Sequence, residues 1–529
     1  MKPVPVEIAG DQAEVLSFLA NPASWPGNSE RVDVLETHGA FVFLSGDMAL
    51  KVKRSVKLAY LDFSTLELRH RFSQRELEIN RPHAPDLYRA VVPITREPEG
   101  NLAIAGRGMP VEWAVEMRRF DQEQLLSHVA TSTGVDRQLA IALGDMVASY
   151  QGNLKVADGA NDPMPQICGS LISALRSAPE LHKADVVEQF SENLLRCLKA
   201  TAGLRQARAA SGFVRRCHGD LHLGNIVMWC GRPVPFDAIE FDEGLATVDT
   251  LYDLAFLIMD LWRHGAHEAA NIVLNRYLWR TGEPHNDEGL AALPLFLASR
   301  AGVRAMVALD RGRLGAGHGH DLAKHIRETL ELAVELVTPK PPILIAIGGL
   351  SGTGKSTVAG SIAPYVGAAP GALHVRTDLE RKRMAGVGEF DHLPADVYTA
   401  QSSAITYARV LERARLALTA GHSVIIDAVS ARPDERRALA DLAAGLGVRF
   451  HGLWLEAMPD NMKSRVTARV RDASDATADV VEQQIQIDVG HIDWVRVPAD
   501  GSQANVRASA WRALDLPVNL QSGAISSPA

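Results

Sequence analysis

The chain has 529 residues, 47% hydrophobic and 22% charged, the balance of a folded soluble protein, and at ~100–200 residues per domain its length predicts about three to four compact units. Lys+Arg is 55 against Asp+Glu 63, a formal net charge of −8, which argues against a chain devoted to a nucleic-acid backbone or an anionic membrane, since both call for a basic surface. Four cysteines without a Cys-x-x-Cys pair exclude a disulfide scaffold and fit a reducing compartment.

The N-terminus carries acids where a signal peptide would have its apolar core. No apolar run approaches the ~20 residues that span a bilayer. The expectation is a cytoplasmic, multidomain protein.

Up to about residue 119 the segments 41–54, 91–106 and 111–120 alternate apolar and polar residues between turn signals, and predict antiparallel strands. In Met48-Ala49-Leu50-Lys51, Ala49 and Lys51 share one strand face, with Lys53 on the same face. Ser64-Thr65-Leu66-Glu67 reads as a capping box opening a helix. On that helix Leu68, Phe72, Glu76 and Ile79 lie on one face, so Glu76 falls among apolar neighbours. A carboxylate there needs a partner. Lys51 is the natural one, and a solvated Glu at the helix edge is the alternative. Beyond residue 120 the pattern is mostly helical. Strands followed by helices predict a small sheet lobe, 1–119, joined to a helical lobe, 120–336.

The segment Cys217-His218-Gly219-Asp220-Leu221-His222-Leu223-Gly224-Asn225 sets Asp220 and Asn225 five apart in a Gly-containing loop. One loop can then aim a carboxylate at a substrate hydroxyl and an amide oxygen at Mg²⁺. Pro235-Phe236-Asp237-Ala238-Ile239-Glu240-Phe241-Asp242 follows as an apolar strand pattern with acids, and hard oxygen ligands suit Mg²⁺. Cys217, His218, His222 and Cys230 match no usual zinc spacing. His218 is expected to shape the loop through hydrogen bonds.

This region, roughly 35–330, resembles the aminoglycoside phosphotransferase and choline-kinase-like branch of the protein-kinase-like fold. His218-Gly219-Asp220 with Asn225 matches its H-G-D-x-x-x-x-N catalytic loop, Ile239-Glu240-Phe241 its I-D-W-like segment, and Asp249 to Ala255 its D-x-x-x-D-L-A motif. The resemblance implies Asp220 as catalytic base, Asn225 and Glu240 as metal ligands, and Lys51 with Glu76 as the ATP-holding pair. Glu240 stands where the family has Asp, one methylene longer, and Asp237 and Asp242 lie nearby. Glu116-Met117-Arg118 would be the hinge that meets adenine. No G-x-G-x-x-G loop precedes the lysine; His38-Gly39 lies there.

Residues 337–342 hold three prolines in four residues and predict a stiff extended linker. Then Ile343 to Thr357 reads as a buried strand, the loop Gly349-Leu350-Ser351-Gly352-Thr353-Gly354-Lys355-Ser356, and a helix. This is G-x-x-x-x-G-K-[ST] in its required setting. Backbone N–H groups and the helix end cradle phosphate, Lys355 reaches the β/γ-phosphates and Ser356 reaches Mg²⁺. Gly349 through Thr357 are the nucleotide-binding candidates. Ser423 to Asp427 forms a second strand ending in a carboxylate, a Walker B arrangement in which Asp427 serves the metal. Ala428 stands where a hydrolysing ATPase usually has Glu, which favours transfer to a hydroxyl.

Val375-Arg376-Thr377-Asp378 with Arg381 resembles the small P-loop kinases, such as gluconate kinase, zeta-toxin-like and polynucleotide-kinase-like proteins. The resemblance covers about 343–495. It implies that Asp378 orients or deprotonates the acceptor hydroxyl and that Arg381 holds substrate or phosphate; a simple helix N-cap is the alternative for Asp378. It also implies lid arginines, with Arg465 and Arg469 as candidates beside a plain solvated helix face. Asp472-Ala473-Ser474-Asp475-Ala476 reads as a loop without an assigned role, and residues 516–529 as a disordered tail.

The expected architecture is α/β and α+β multidomain: a bilobal protein-kinase-like domain, then a three-layer P-loop domain at 343–515 with a mainly parallel sheet. The expected function is ATP- and Mg²⁺-dependent phosphoryl transfer to a hydroxyl of a small molecule. Two alternatives remain, a chain with one catalytic and one nucleotide-sensing domain, and a polynucleotide 5′-hydroxyl kinase.

Overall fold

A computed structural model describes residues 10–26, 30–37, 39–58, 61–157, 159, 161–177, 184–282, 284–313, 319–469 and 472–515. His38 and the expected tail, 516–529, lie outside the described residues. The chain forms two compact units. The first comprises Met1–Val135, Met146–Asp260 and Phe296–Glu335; the second comprises Asp136–Asp145, Leu261–Leu295 and Leu336–Ala529.

In the first unit, β1 (Asp33–Glu36), β2 (Ala40–Ser45), β3 (Met48–Lys53), β4 (Tyr88–Arg96), β5 (Leu102–Ile104) and β6 (Met109–Arg118) form one antiparallel sheet. Its strand order is β1-β2-β3-β6-β4-β5. The β2–β3 hairpin turns at Gly46 with φ +56°, a conformation that favours glycine. Phe43, Leu50, Val52, Ile94 and Ala114 close one core of this sheet.

Helix α1 (Leu66–Asn80) is capped by Thr65, whose Oγ1 accepts from Leu68 N–H. The expected cap, Ser64, instead donates its hydroxyl to Asp62 at 2.6 Å. The buried face of α1 is also turned from the expected one. Arg69, Ser73, Glu76 and Asn80 are buried, while Leu68, Phe72 and Ile79 are half-buried. Glu76 thus lies on a polar stripe, on which Arg69 donates to Glu112 and Asn80 to the Glu76 carbonyl, while the buried Ser73 hydroxyl has no hydrogen-bond partner.

Downstream, β7 (Ile226–Trp229) and β8 (Arg232–Pro235) make a hairpin. The strand expected across 235–242 stops at Pro235. Asp237 sits at φ +62°, outside the extended region that a ladder needs. Below this segment Arg208 grips Asp249 through two hydrogen bonds of 2.7 and 2.8 Å.

The second unit begins its labelled elements with α2 (His267–Thr281) and α3 (Pro284–Gly289). The helix Gly319–Val337 ends before the Pro-rich segment, and β9 (Ile343–Gly348) follows it. With α4 (Lys355–Ile362), β10 (Leu373–Arg376), α5 (Thr377–Met384), α6 (Ala400–Thr419), β11 (Val424–Asp427), β12 (Arg449–Glu456), α7 (Pro459–Thr467) and β13 (Val495–Pro498), it builds a parallel sheet of order β10-β11-β9-β12-β13. Every residue of β9 is buried, as the unbroken apolar run of a central parallel strand requires. Ile345, Ile347, Val358, Ile362 and Leu453 share its core, each contributing roughly 1.5–3 kcal/mol by burial.

Strand β10 is a sheet edge, and α2 closes it. Asn275 accepts from His374 N–H at 2.7 Å and donates to the Ala372 carbonyl at 3.2 Å, and Asn271 donates to that carbonyl at 3.0 Å. A side-chain amide here takes the place of a neighbouring strand, which covers an otherwise sticky edge. Arg413 on α6 binds Asp287 on α3 at 2.7 and 2.8 Å and Glu380 on α5 at 2.6 Å, all buried.

The stretch Pro284–Leu309 comes nearer to bilayer-spanning character than its sequence suggested, with a window of mean hydropathy 1.4. Two thirds of that window, 67%, is buried inside the fold, so most of these side chains face protein.

Candidate active sites

The His218–Asn225 loop of the first unit is held by backbone and buried charge. Gly219 adopts φ +82°, its N–H donates to Asp253 at 2.9 Å and its carbonyl accepts from Arg300 at 2.8 Å. A Cβ at this position would lie 2.9 Å from Ile239 Cδ1, so both conformation and space favour glycine. His218 is buried, and burial pushes its imidazole pKa down. Its Nε2 lies 2.9 Å from the Phe236 carbonyl and its Nδ1 3.3 Å from Asp220 N–H. The neutral tautomer that donates from Nε2 and accepts at Nδ1 satisfies both. His218 shapes the loop, as expected.

Asn225 Nδ2 donates to both the carbonyl and Oδ2 of Asp220 at 2.9 Å, which leaves its Oδ1 as the Lewis-basic atom of the side chain. His222 Nε2 lies 3.4 Å from Asp220 Oδ2. Burial pushes the Asp220 carboxyl up, but His222, then His218 and Arg304, outweigh it and hold the group well below the usual carboxylate range. Such a carboxylate is ionised at neutral pH. It can accept a hydrogen bond from a hydroxyl and orient it.

Lys51 and Lys53 both reach Glu76. Lys51 Nζ lies 2.8 Å from Oε1 and Lys53 Nζ 2.7 Å from Oε2. Lys51 also pairs with Asp237, and Lys53 with Glu240. Burial pushes the Glu76 carboxyl up, but the two ammonium charges bring it down to about 2. Burial pushes Lys51 down, but Asp237 and Glu76 more than reverse this and hold it well above the ordinary lysine value.

Glu240, expected as a metal ligand, is committed elsewhere. Its side chain is 6% exposed and caps Lys53, and burial raises its pKa. Asp237 is 37% exposed and meets Lys51. Asp237 N–H donates to Tyr88 Oη at 3.1 Å and Ala238 N–H to Asn80 at 2.9 Å, which pins the left-handed turn against α1 and β4. The extra methylene of Glu240 lets its carboxylate cross to Lys53, while Asp237 faces the open side.

In the second unit the phosphate loop has the backbone its glycines allow. Gly349, Gly352 and Gly354 lie at φ +135°, +86° and +93°, and Gly354 precedes the first turn of α4. Gly352 also packs against α7, where a Cβ would stand 2.5 Å from the Met462 carbonyl oxygen. Lys355 Nζ donates to the Leu350 carbonyl at 3.0 Å across the loop, and burial lowers its pKa. Ser351 through Thr357 line a cavity of about 1020 Å³. Leu350 packs instead against the cluster of Met462, Val466 and Val481, and a Cβ added at Gly349 would stand 2.6 Å from the Leu455 carbonyl oxygen.

Asp427 ends β11 beneath this loop, buried, with His374 and Arg376 at 3.5 and 3.6 Å. Burial raises its carboxyl, but His374, Arg376 and Lys355 hold it well below the usual range. Asp378 lines the same cavity. The N-cap of α5 is Arg376, and Asp378 lies inside the first turn, so it does not serve as the cap. Burial raises the Asp378 pKa, and Arg376 opposes the rise.

Arg381 and the two lid candidates, Arg465 and Arg469, line the cavity. Arg465 donates to the Ala499 carbonyl at 2.7 Å and lies 3.4 Å from the Gly352 carbonyl. Arg469 lies beyond the last turn of α7, with Nη1 buried and without a hydrogen-bond acceptor. The sequence reading missed Lys53 as a second partner of Glu76, Arg376 beside Asp427, and Asp475, to which Tyr398 donates. The acidic loop 472–476 was a visible signal for the last of these.

These two sites define the class, a protein-kinase-like fold joined to a P-loop fold. Residues 104–286 match the phosphotransferase enzyme family (APH), and residues 344–487 match an AAA domain family (AAA_33). Uncharacterized proteins of Mycobacterium tuberculosis and Mycobacterium bovis are each 31% identical over 476 residues, 87% of this chain and 91% of theirs. The chain belongs to the family of these mycobacterial proteins, a kinase-like phosphotransferase domain fused to a P-loop domain. Among solved structures, a choline/ethanolamine kinase family protein from Mesorhizobium loti is 13% identical, with TM-score 0.34, covering 62% of this chain and 99% of that one. A gluconokinase from Sinorhizobium meliloti is 20% identical, with TM-score 0.25, covering 33% and 91%.

Proposed function

We propose that the chain is a two-site, ATP-dependent phosphotransferase, each unit moving a γ-phosphoryl group to a hydroxyl of a small molecule. The observation that carries this is the second unit's cavity. A phosphate loop, an ionised Asp427 and an Asp378 that burial holds partly in check line one space. In the reaction the acceptor hydroxyl oxygen bonds to the γ-phosphorus, the bond to the β–γ bridging oxygen breaks, and ADP leaves. The hydroxyl proton passes to Asp378, whose raised pKa suits it to take one. Lys355 and the loop N–H groups neutralise the phosphates. In the first unit Asp220 orients the hydroxyl and Lys51, held by Glu76, meets phosphate.

The donor set fits Mg²⁺. Ser356 and Asp427 would hold it in one unit, Asn225 Oδ1 and Asp237 in the other, and both are hard oxygen sites. The ion supplies charge neutralisation on the transferred phosphoryl group. Asp237 is preferred to Glu240 because it is exposed where Glu240 is enclosed. A small-molecule acceptor accords with the sugar and choline kinases among the structural relatives, and with the acidic net charge.

The test is a screen of hydroxylated metabolites with γ-labelled ATP on the intact chain, on Asp220→Ala and on Lys355→Ala. Each variant is expected to lose a different labelled product. Loss of all turnover in one variant and none in the other would replace the two-site reading with one catalytic and one nucleotide-sensing unit.

A further inference from the structure

The phosphate loop of the second unit makes one hydrogen bond that its motif does not call for. Ser351 N–H donates to Gln484 Oε1 at 2.7 Å. Gln484 stands near the end of helix α8 (Ala478–Ile485), 133 residues away in sequence. The other end of the same peptide unit, the Leu350 carbonyl, accepts from Lys355 Nζ at 3.0 Å. The carbonyl and N–H of a trans peptide point opposite ways, so Lys355 and Gln484 hold one peptide plane from its two sides. The first-turn amides of α4 have no partner within their helix and stay open to phosphate.

Helix α8 is fixed to the loop. Val481 is buried with Met462 and Val466, and Ile485 and Leu350 both pack on that cluster. Thr477 Oγ1 caps α8 by accepting from Val480 N–H at 3.4 Å. Lys463 on α7 donates to Glu482 on α8 at 2.6 Å.

An N–H donor at 2.7 Å requires an oxygen, which assigns Oε1 to Ser351 and leaves Nε2 as a donor. Nε2 has no protein acceptor among the described residues, and Gln484 lines the cavity together with Ser351, Lys355, Arg465 and Arg469. Holding the loop amide does not by itself explain an amide side chain, since a carboxylate would accept that N–H more strongly. A neutral group that accepts on one side and donates on the other fits a place where the second partner is an anion, which a carboxylate would repel. Lys355 reaches the β/γ-phosphates, and Gln484 is bonded to the peptide that Lys355 also holds. The anion beside it is therefore the terminal end of the phosphate chain.

We propose that Gln484 reads the γ-phosphoryl group: Oε1 stays on Ser351 N–H while Nε2 donates to a γ-phosphoryl oxygen, so that the second unit separates ATP from ADP. The inference rests on the phosphotransferase reading of that unit. It deepens the reading by naming a nucleotide-binding residue outside the loop motif.

The test uses the full chain with Mg²⁺ and two probes, β,γ-imido-ATP and ADP. Binding is titrated by hydrogen exchange of the peptide that contains the phosphate loop, which reports the second site alone. Wild type is compared with Gln484→Glu, which keeps the acceptor for Ser351 and turns the donor into a negative charge, and with Gln484→Met, which removes both without adding charge. A charged hydrogen bond corresponds to roughly 10- to 150-fold in affinity. The expected result is that Gln484→Glu weakens imido-ATP at least about tenfold and changes ADP less than about threefold. Gln484→Met is expected to lose much of the preference for imido-ATP as well, and it decides the matter if Gln484→Glu does not fold. A ratio of the two affinities that stays at the wild-type value in both variants, or a loss of both nucleotides in equal proportion, shows that the carboxamide only props the loop and overturns the proposal alone. No protection of the loop peptide by either nucleotide in wild type overturns the proposal together with the reading beneath it.

Discussion

Glu76 is the carboxylate on which two lysines converge, and replacing it with Gln has a calculable cost. Its pKa of about 2, against an ordinary 4.5, means that the folded state favours its ionised form by about 3 kcal/mol. The side chain is fully buried, so solvent does not screen this. Gln keeps the shape but turns an amide N–H toward one ammonium. The sign follows from the depressed pKa: the stabilisation is complete above about pH 4.5 and fades as pH falls toward 2. The gap between wild type and Glu76→Gln should therefore be about 3 kcal/mol at pH 7 and visibly smaller at pH 4. Two units need not unfold together, so the gap is best read locally, by hydrogen exchange of the β3 and α1 amides. A gap below about 1 kcal/mol at pH 7, or one that widens on acidification, would refute the paired-lysine account.

Two other substitutions separate roles at single positions. Asp237→Asn is expected to lower turnover at the first site at least about 100-fold, consistent with losing an electrostatic contact of about 3 kcal/mol, whereas Glu240→Gln should chiefly loosen Lys53 and lower the melting temperature; a reversed order in steady-state kinetics would restore Glu240 as the metal ligand. Gly352→Ala adds a Cβ 2.5 Å from the Met462 carbonyl at φ +86°, so nucleotide affinity by fluorescence titration should fall at least tenfold, with a stability loss of about 1–3 kcal/mol.

Local signals were legible in the chain because they are contiguous. The phosphate loop, Asp427 and the Asp220–Asn225 spacing each follow from a few neighbouring residues and a known period. What stayed hidden depends on direction rather than order. Asp237 and Glu240 stand three apart, and only the left-handed turn at Asp237 decides which one meets Lys51. Lys53 shares the strand face with Lys51, yet that Glu76 would serve both depends on its two oxygens facing two strand positions. The buried stripe on α1 is polar, so a search for apolar periodicity finds its flank instead. The role of Asp475 rests on contacts 77 to 93 residues away in sequence, since its partners are Tyr398, Leu393 and Lys382, and no spacing rule reaches that far.

The pairing of α2 with β10 bears on how this chain can be dissected. A fragment cut at the Pro-rich segment would keep the whole phosphate loop and still lose Asn271, Asn275 and Asp287. Its outer strand would then show bare amides and carbonyls to any passing sheet, and Arg413 would be left in the interior with half its counter-charge. Such a fragment invites edge-to-edge association, because the helix that closes the edge lies inside the stretch that matches the phosphotransferase family.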